Sequence, residues 1–285
     1  MNIVTGASGR VGSALVRELN RRGMPTTAIV RNKNNAEMFG DNIHVGIADI
    51  FDRDALANAF KGGDTAFLIT PENIHSEDVI GDAENVIKNY RAAVEVSGIK
   101  RIVGLSSMGA HIGEGSGNLY ISYLLERAFA DLPVQTTFIR PAYYYSNWLG
   151  YLEIAREHGI LPTFFKPEQK IAMVAPEDVA QFAAIVIRSQ ALSAPVYEIE
   201  GPKAYSSNDI AKIFGECLNR EVIAQQIPED QWIPTLTGVG FSEDAARNMA
   251  LMTGTVVNNG IFGEKLEDLI VWNTDMKEYL LHNTL

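Results

Sequence analysis

Gly6, Gly9 and Gly12 stand between a short apolar run, Asn2-Ile3-Val4-Thr5, and a stretch whose apolar residues Val11, Ala14, Leu15 and Leu19 recur at helical spacing. Glycines so placed suit one kind of chemistry, the close binding of an anion. Gly6 makes the tight turn off a strand, Gly9 leaves backbone room for a pyrophosphate, and Gly12 lets the next helix lie close to the sheet. The amides around Ser8, Arg10 and Val11 then point at the anion, with the positive end of the helix dipole behind them. The reading is a strand, a phosphate loop and a helix start, the opening of a dinucleotide site.

The following strand, Pro25 to Val30, ends in Arg31. An acidic residue at that point hydrogen-bonds a ribose 2′-hydroxyl, whereas an arginine pairs with a 2′-phosphate. Arg31, supported by Lys33, therefore predicts NADP as the cofactor, with NADPH preferred over NADH.

The elements that must position these groups alternate along the chain. Ile43 to Ala48 reads as a third strand ending in Asp49, and Asp52 caps a helix to Phe60. Thr65 to Ile69 is a fourth strand that stops at Thr70-Pro71. A long helix carries Val79, Ala83, Val86, Ile87, Tyr90 and Val94 on one stripe and is ended by Gly98. Arg101 to Leu105 delivers Ser106 and Ser107, a glycine-rich loop holds His111, a helix spans Leu119 to Ala130, and Val134 to Ile139 ends in Arg140-Pro141. Strands alternating with helices predict an α/β fold, a doubly wound parallel sheet covered on both faces. Ligands of such sheets lie at the carboxyl ends of the strands. Asp49 is thus expected beside the adenine, Thr70 and Pro71 beside the ribose and pyrophosphate, and Ser106 and Pro141 farther along the same edge.

Residues 1–141 read as the dinucleotide-binding core. Residues 142–285 read as a smaller, mainly helical substrate lobe over the strand ends, with parts near 171–200 returning to the core. Residues 142–157 are expected to be helical, Ile171 to Val174 and Val196 to Glu200 to be strands, and Ser206 or Ser207 to cap a helix. Glu221 to Gln226 is a further strand, and beyond Pro228 helix is expected throughout, apart from a turn near Asn258-Asn259-Gly260.

With 285 residues, 46% of them hydrophobic, the chain buries a substantial core, and a net charge of −11 argues against nucleic acid or anionic membrane as a partner. The longest apolar runs, such as Phe182 to Ile187, are too short to span a bilayer. Cys217 is alone and cannot form an internal disulfide, no Cys/His cluster has metal spacing, and a strand beginning at Asn2 leaves no room for a signal peptide. These features predict a cytoplasmic protein, monomer or homodimer, acting on a small molecule without a metal.

The chain resembles the atypical short-chain dehydrogenase/reductases, and within them the NmrA-like group that includes NADPH-dependent quinone, azo-dye and triphenylmethane-dye reductases. The resemblance rests on Thr5-Gly6-Ala7-Ser8-Gly9-Arg10-Val11-Gly12, on Val30-Arg31-Asn32, on Gly63-Asp64, on Arg140-Pro141 with Asn147, and on Ala175-Pro176-Glu177-Asp178-Val179-Ala180. It implies a Rossmann-type fold with the nicotinamide near Arg140-Pro141 and the fifth strand.

Most short-chain dehydrogenases pair a serine and a tyrosine with a lysine four residues after the tyrosine, whose charge lowers the phenol pKa for proton exchange with a carbonyl. Here Tyr120 follows Ser107 at a suitable distance but meets Leu124, and Tyr123 meets Arg127, which cannot give up its proton. The lysine that isoflavone-type relatives carry before a glutamate would fall at Ser122, ahead of Glu126. Alcohol or ketone chemistry and sugar epimerisation are therefore disfavoured. Quinones, azo compounds and cationic dyes accept hydride directly once two rings are aligned. His111, Tyr120 and Tyr123 are the candidate catalytic residues, with the His111 imidazole suited to protonating a product. Tyr143 and Asn147 share a helical face as the candidate substrate pocket, and Tyr144, Tyr145, Trp148, Phe164 and Phe165 offer further flat apolar surface, of which only some can face a cleft while others, Phe164 and Phe165 among them, can belong to the core. The alternative is an NmrA-like redox sensor that binds the cofactor without significant turnover and reports to a protein partner.

Overall fold

Neighbouring residues in the strands face opposite ways, and here both faces are apolar. Ile3, Ile29, Leu68, Ile102 and Phe138 pack into one buried cluster, while Val4, Val30, Phe67, Val103 and Ile139 pack into another on the far side. A sheet buried on both faces follows. The computed structural model describes residues 1–40, 42–189, 191–259, 264 and 269–284.

Strands β1 (Asn2–Val4), β2 (Thr26–Val30), β3 (His44–Ile47), β4 (Thr65–Ile69), β5 (Arg101–Leu105) and β6 (Gln135–Pro141) alternate with helices α1 (Arg10–Arg21), α2 (Lys33–Ala36), α3 (Arg53–Phe60), α4 (Val79–Ser97) and α5 (Leu119–Arg127). There follow β7 (Tyr143–Tyr144), α6 (Ser146–Leu149), α7 (Leu152–His158), β8 (Ile160–Thr163), β9 (Met173–Val174), α8 (Pro176–Arg188), β10 (Val196–Glu200), α9 (Ser207–Leu218) and β11 (Ile223–Gln226). The chain ends with α10 (Trp232–Gly238), α11 (Glu243–Asn259), β12 (Ile270–Val271) and α12 (Met276–Thr284).

The main sheet is parallel and runs β12-β10-β6-β5-β4-β1-β2-β3. Its order reverses beside β1, so the glycine loop leaves the sheet at the crevice where doubly wound folds bind ligands. Helix α1 covers one face beside α8, with Val11, Leu15, Val16 and Leu19 meeting Val179, Phe182, Ala183 and Val186 in the same buried cluster. Helices α3, α4 and α5 cover the other face through Leu56, Phe60, Val86, Tyr90, Val94 and Leu125. A third apolar cluster joins Tyr145, Trp148, Phe165, Tyr205, Phe214 and Tyr279 beyond the strand ends.

Three local expectations are corrected. Residues 142–157 are not one helix: Tyr143 and Tyr144 pair with Met173 and Val174 before α6 begins. Aromatic side chains favour an extended backbone, and the Tyr143 and Tyr145 amides donate to the Ala172 and Val174 carbonyls. Strand β8, which the sequence pattern does not announce, pairs with β11. Beyond Pro228 the chain is not wholly helical, since β12 adds an eighth strand beside β10. Gly260, in the expected turn, lies outside the described residues. Among the caps, Asp52 and Asp78 accept the first amides of α3 and α4, and Ser206 forms a reciprocal capping box with Asp209 on α9.

Asp178, in the first turn of α8, is buried with Oδ1 accepting from the Thr274 hydroxyl and Oδ2 without a partner among the described residues. Burial, seconded by the Glu177 charge, pushes its pKa up to about 6. The folded form therefore holds the proton more tightly than the unfolded chain, and stability falls as pH rises from the ordinary carboxylate range through about 6. Asp178→Asn keeps the acceptor for Thr274 and removes the charge. Thermal melts of the variant should lose this pH dependence and gain roughly 1–2 kcal/mol at neutral pH, after discounting for solvent screening.

Candidate functional site

The glycine loop is shaped by backbone contacts. Gly6 has φ +59°, and the Gly9 amide donates to the Gly6 carbonyl at 2.9 Å. A Cβ on Gly12 would lie 2.2 Å from that same carbonyl oxygen. Helix α1 has no side-chain cap and no acidic residue in its first turn, unlike α3 and α4. Its leading amides are free of side-chain acceptors, at the positive end of the helix, and close approach is open because Gly9 carries no side chain. This donor set fits a dinucleotide pyrophosphate.

Beneath the loop, Thr5 and Tyr90 tie three elements together. The Thr5 hydroxyl donates to the Phe67 carbonyl at 3.1 Å and accepts from the Ile69 amide at 3.1 Å. Tyr90 on α4 donates to the Ile69 carbonyl at 2.7 Å. The turn after β1 is thereby held against the end of β4.

The strand-end candidates are brought to one edge. Arg31 and Pro71 are exposed, Thr70 is half-buried, and Pro141 is buried with its carbonyl accepting from the Met108 amide. Arg31 lies directly after β2 and before the Asn32 cap of α2. Asp49 is half-buried and folds its own loop, accepting from the Phe51 amide at 3.0 Å. Ser8 and Arg10 are exposed at the loop, with Val11 buried behind it.

Ser106 belongs to a buried charge network that sequence reading did not assemble. Its hydroxyl donates to Glu126 Oε1 at 2.5 Å, and Arg140 grips both oxygens of Glu126 at 2.7 Å. Glu198 lies beside Arg140 in the β6–β10 register, 4.0 Å away, and Glu264 is hydrogen-bonded to Arg140 as well. Burial works against the arginine's charge, but the Glu126 and Glu264 carboxylates outweigh it and raise its pKa further. The available signal was a charged residue inside each of two apolar parallel strands, Phe138-Ile139-Arg140 and Tyr197-Glu198-Ile199. Such strands are buried on both faces, so their charges must find each other.

The catalytic candidates do not converge on one atom. Tyr120 and Tyr123 stack with centroids 5.5 Å apart, and the Arg127 guanidinium sits over the Tyr123 ring at 3.5 Å. His111 lies on the short 3-10 turn after β5, its Nδ1 buried, without a hydrogen-bond partner among the described residues, and 4.0 Å from Glu264. Tyr143 meets Phe165 edge-on at 5.4 Å and has Asn147 beside its hydroxyl, which burial holds in the neutral form. The structure divides the wider aromatic surface: Tyr145 and Trp148 are fully buried in the third cluster and Phe165 nearly so. Large rings follow the packing that buries most of their area. Only Tyr143, Tyr144 and Phe164 keep partial exposure.

A second group missed in the sequence lies nearby. Glu72, just past β4, accepts from Asn118 Nδ2 at 3.0 Å, while Asn118 Oδ1 and the Tyr144 hydroxyl are buried without partners among the described residues. No side-chain cluster with metal-ligand character occurs among the described residues, and no helix among them is long and apolar enough to cross a membrane.

The model of the NmrA-like family matches residues 2–280. The chain is 25% identical over 258 residues to an NAD(P)H azoreductase of Xenophilus azovorans, covering 87% of this chain and 85% of that one. The crystal structure of an NADPH-dependent quinone oxidoreductase from Escherichia coli, complexed with NADPH, superposes with a TM-score of 0.82 at 27% identity and 99% coverage of both chains. A triphenylmethane reductase of Citrobacter sp., complexed with NADP(H), shares the fold with a TM-score of 0.81 at 23% identity, again over 99% of each chain.

Proposed function

We propose that this chain, which belongs to the NmrA-like family, is an NADPH-dependent reductase that passes hydride to a planar electrophile such as a quinone, an azo compound or a cationic dye. The observation that carries the reading is the uncapped α1 behind a glycine turn that a single methyl group would block, with Arg31 at the end of the next strand. The relatives are reductases, which supports turnover over the sensing alternative.

In this reading the amides from Ser8 to Gly12 hold the pyrophosphate, and Arg31 pairs with the 2′-phosphate. Asp49 lies toward the adenine, Thr70 and Pro71 toward the ribose, and Ser106 and Pro141 border the nicotinamide. When bound, the reduced cofactor supplies two electrons and a proton as hydride. The chain's own part is alignment: Tyr143 and Asn147 border the acceptor's ring, and the buried Arg140 network keeps the ends of β5, β6 and β10 in register around it.

Purified protein should oxidise NADPH in the presence of quinones, azo dyes or triphenylmethane dyes. Absence of oxidation across such a panel would overturn the reading. Arg31→Asp should weaken NADPH by about 10- to 100-fold, the value of a charge-assisted phosphate contact, and NADH far less. Equal loss of both in a calorimetric titration would remove Arg31 from the 2′-phosphate.

A further inference from the structure

Reduction of a quinone or an azo bond needs a proton as well as hydride, and no lysine-activated tyrosine stands on α5 to give one. The Tyr123 ring is covered by Arg127. Glu72 is placed differently. It leaves β4 at the end of the sheet, on the segment that also carries Thr70 and Pro71. Asn118 at the start of α5 donates to Oε2, so Oε1 is the oxygen able to take a proton. Tyr144, on β7 just past Pro141, holds a buried hydroxyl without a partner among the described residues. Glu72 is an exposed residue, so solvent reaches it past the end of the sheet.

We propose that Glu72 is the general acid of this reduction and that the Tyr144 hydroxyl hydrogen-bonds the same acceptor atom. The assignment rests on the reductase reading. As the acceptor gains the electron pair of the cofactor's C–H bond, the cofactor is oxidised and the acceptor reduced. The O–H bond of the Glu72 carboxyl breaks, and its proton passes to the acceptor's oxygen or nitrogen. The carboxylate then recovers a proton from water at its exposed edge.

The surroundings favour an acid that keeps its proton. Burial raises the Glu72 pKa, against a smaller lowering by Asn118. Two carboxylates of the neighbouring segments have partners of their own: Asp82 on α4 accepts from Ser76, and Asp244 on α11 accepts from the Val79 amide and Asn248. His75 is turned to the Gly240 carbonyl. From α5, Asn118 donates to Glu72, and Tyr144 on β7 is itself held neutral chiefly by burial.

Two acceptors separate proton delivery from hydride delivery. A quinone needs both, whereas a triphenylmethane cation becomes its neutral leuco form on gaining hydride alone. Glu72→Gln, which keeps the size and the acceptor for Asn118, should lower kcat for a quinone by at least about tenfold relative to kcat for the cationic dye, with NADPH affinity retained. In the unmodified protein, quinone reduction should show a solvent deuterium effect that dye reduction lacks. In the cofactor-free protein, infrared spectra should show a protonated carboxyl persisting above the usual glutamate range and missing from Glu72→Gln. An unchanged quinone-to-dye ratio, no solvent effect, or no such band in an active protein overturns the assignment of Glu72 alone. Failure of the unmodified protein to reduce either acceptor overturns the reductase reading, and this assignment with it.

Discussion

Gly12→Ala should abolish dinucleotide binding while the sheet still forms. A Cβ at this position lies 2.2 Å from the Gly6 carbonyl oxygen, 2.7 Å from the Gly6 carbonyl carbon and 3.0 Å from the Ala7 Cα, all backbone. No rotamer change relieves contacts with backbone, so either the turn after β1 or the first turn of α1 must move. The turn is held by Thr5 and Tyr90, and the helix by its packing against α8. The displaced element is then the cradle itself. A shift of even 1 Å breaks several amide contacts to the anion together, which predicts a loss of at least about 1,000-fold in affinity. The stability cost is smaller, about 1–3 kcal/mol, as for other overpacked sites. Gly9→Ala is the informative comparison, because its Cβ meets only the Gly6 oxygen, at 3.3 Å. That variant should melt near the unaltered protein and still bind NADPH more weakly, since its methyl group enters the space needed by the pyrophosphate. Calorimetric titration with thermal melts checks both. Wild-type affinity in Gly12→Ala would remove the anion from this loop.

Local signals carried most of the fold. The paired apolar faces of the first six strands, the caps at Asp52 and Ser206, and the stop at Gly98 are all written within a few residues of the elements they define. The edge that gathers Thr70, Ser106 and Pro141 follows from the parallel order alone. Structure set by distant partners was not legible. Strand β12 exists because two residues find β10 from far along the chain, and Tyr143-Tyr144 is extended because Met173-Val174 lies beside it. The same holds for the site. Arg140 and Glu126 were visible singly, but their bidentate pairing depends on the placement of α5 over β6. Glu72, Asn118 and Tyr144 come from three separate elements, and no spacing within any of them announces the group. The aromatic cluster stayed open between two roles, because a run of rings reads alike whether it lines a cleft or fills a core.

Arg140→Met should be the most damaging single change to stability. Methionine matches the length of the arginine stem and fills its space, so no large cavity opens, and the effect isolates the charge. What remains is Glu126, its side chain 7% exposed, and Glu198, 2% exposed, without the cation between them. Uncompensated buried charge of this kind costs about 3–5 kcal/mol. The chain relieves part of that by protonating a carboxyl, which leads to a second, more specific expectation. The loss should be greatest at neutral pH and shrink as pH falls, because the new carboxyl pKa values in the folded state rise above those of the unfolded chain. Arg140→Lys keeps the charge, loses the two-pronged grip on Glu126, and should fall between the two proteins. Since Ser106 depends on Glu126 for its orientation, and Arg140 precedes Pro141, cofactor affinity should fall with stability in Arg140→Met. Denaturant melts across pH, read beside NADPH titrations, check both. A pH-independent loss would mean that packing around residue 140, and not its charge, holds the ends of β5, β6 and β10 together.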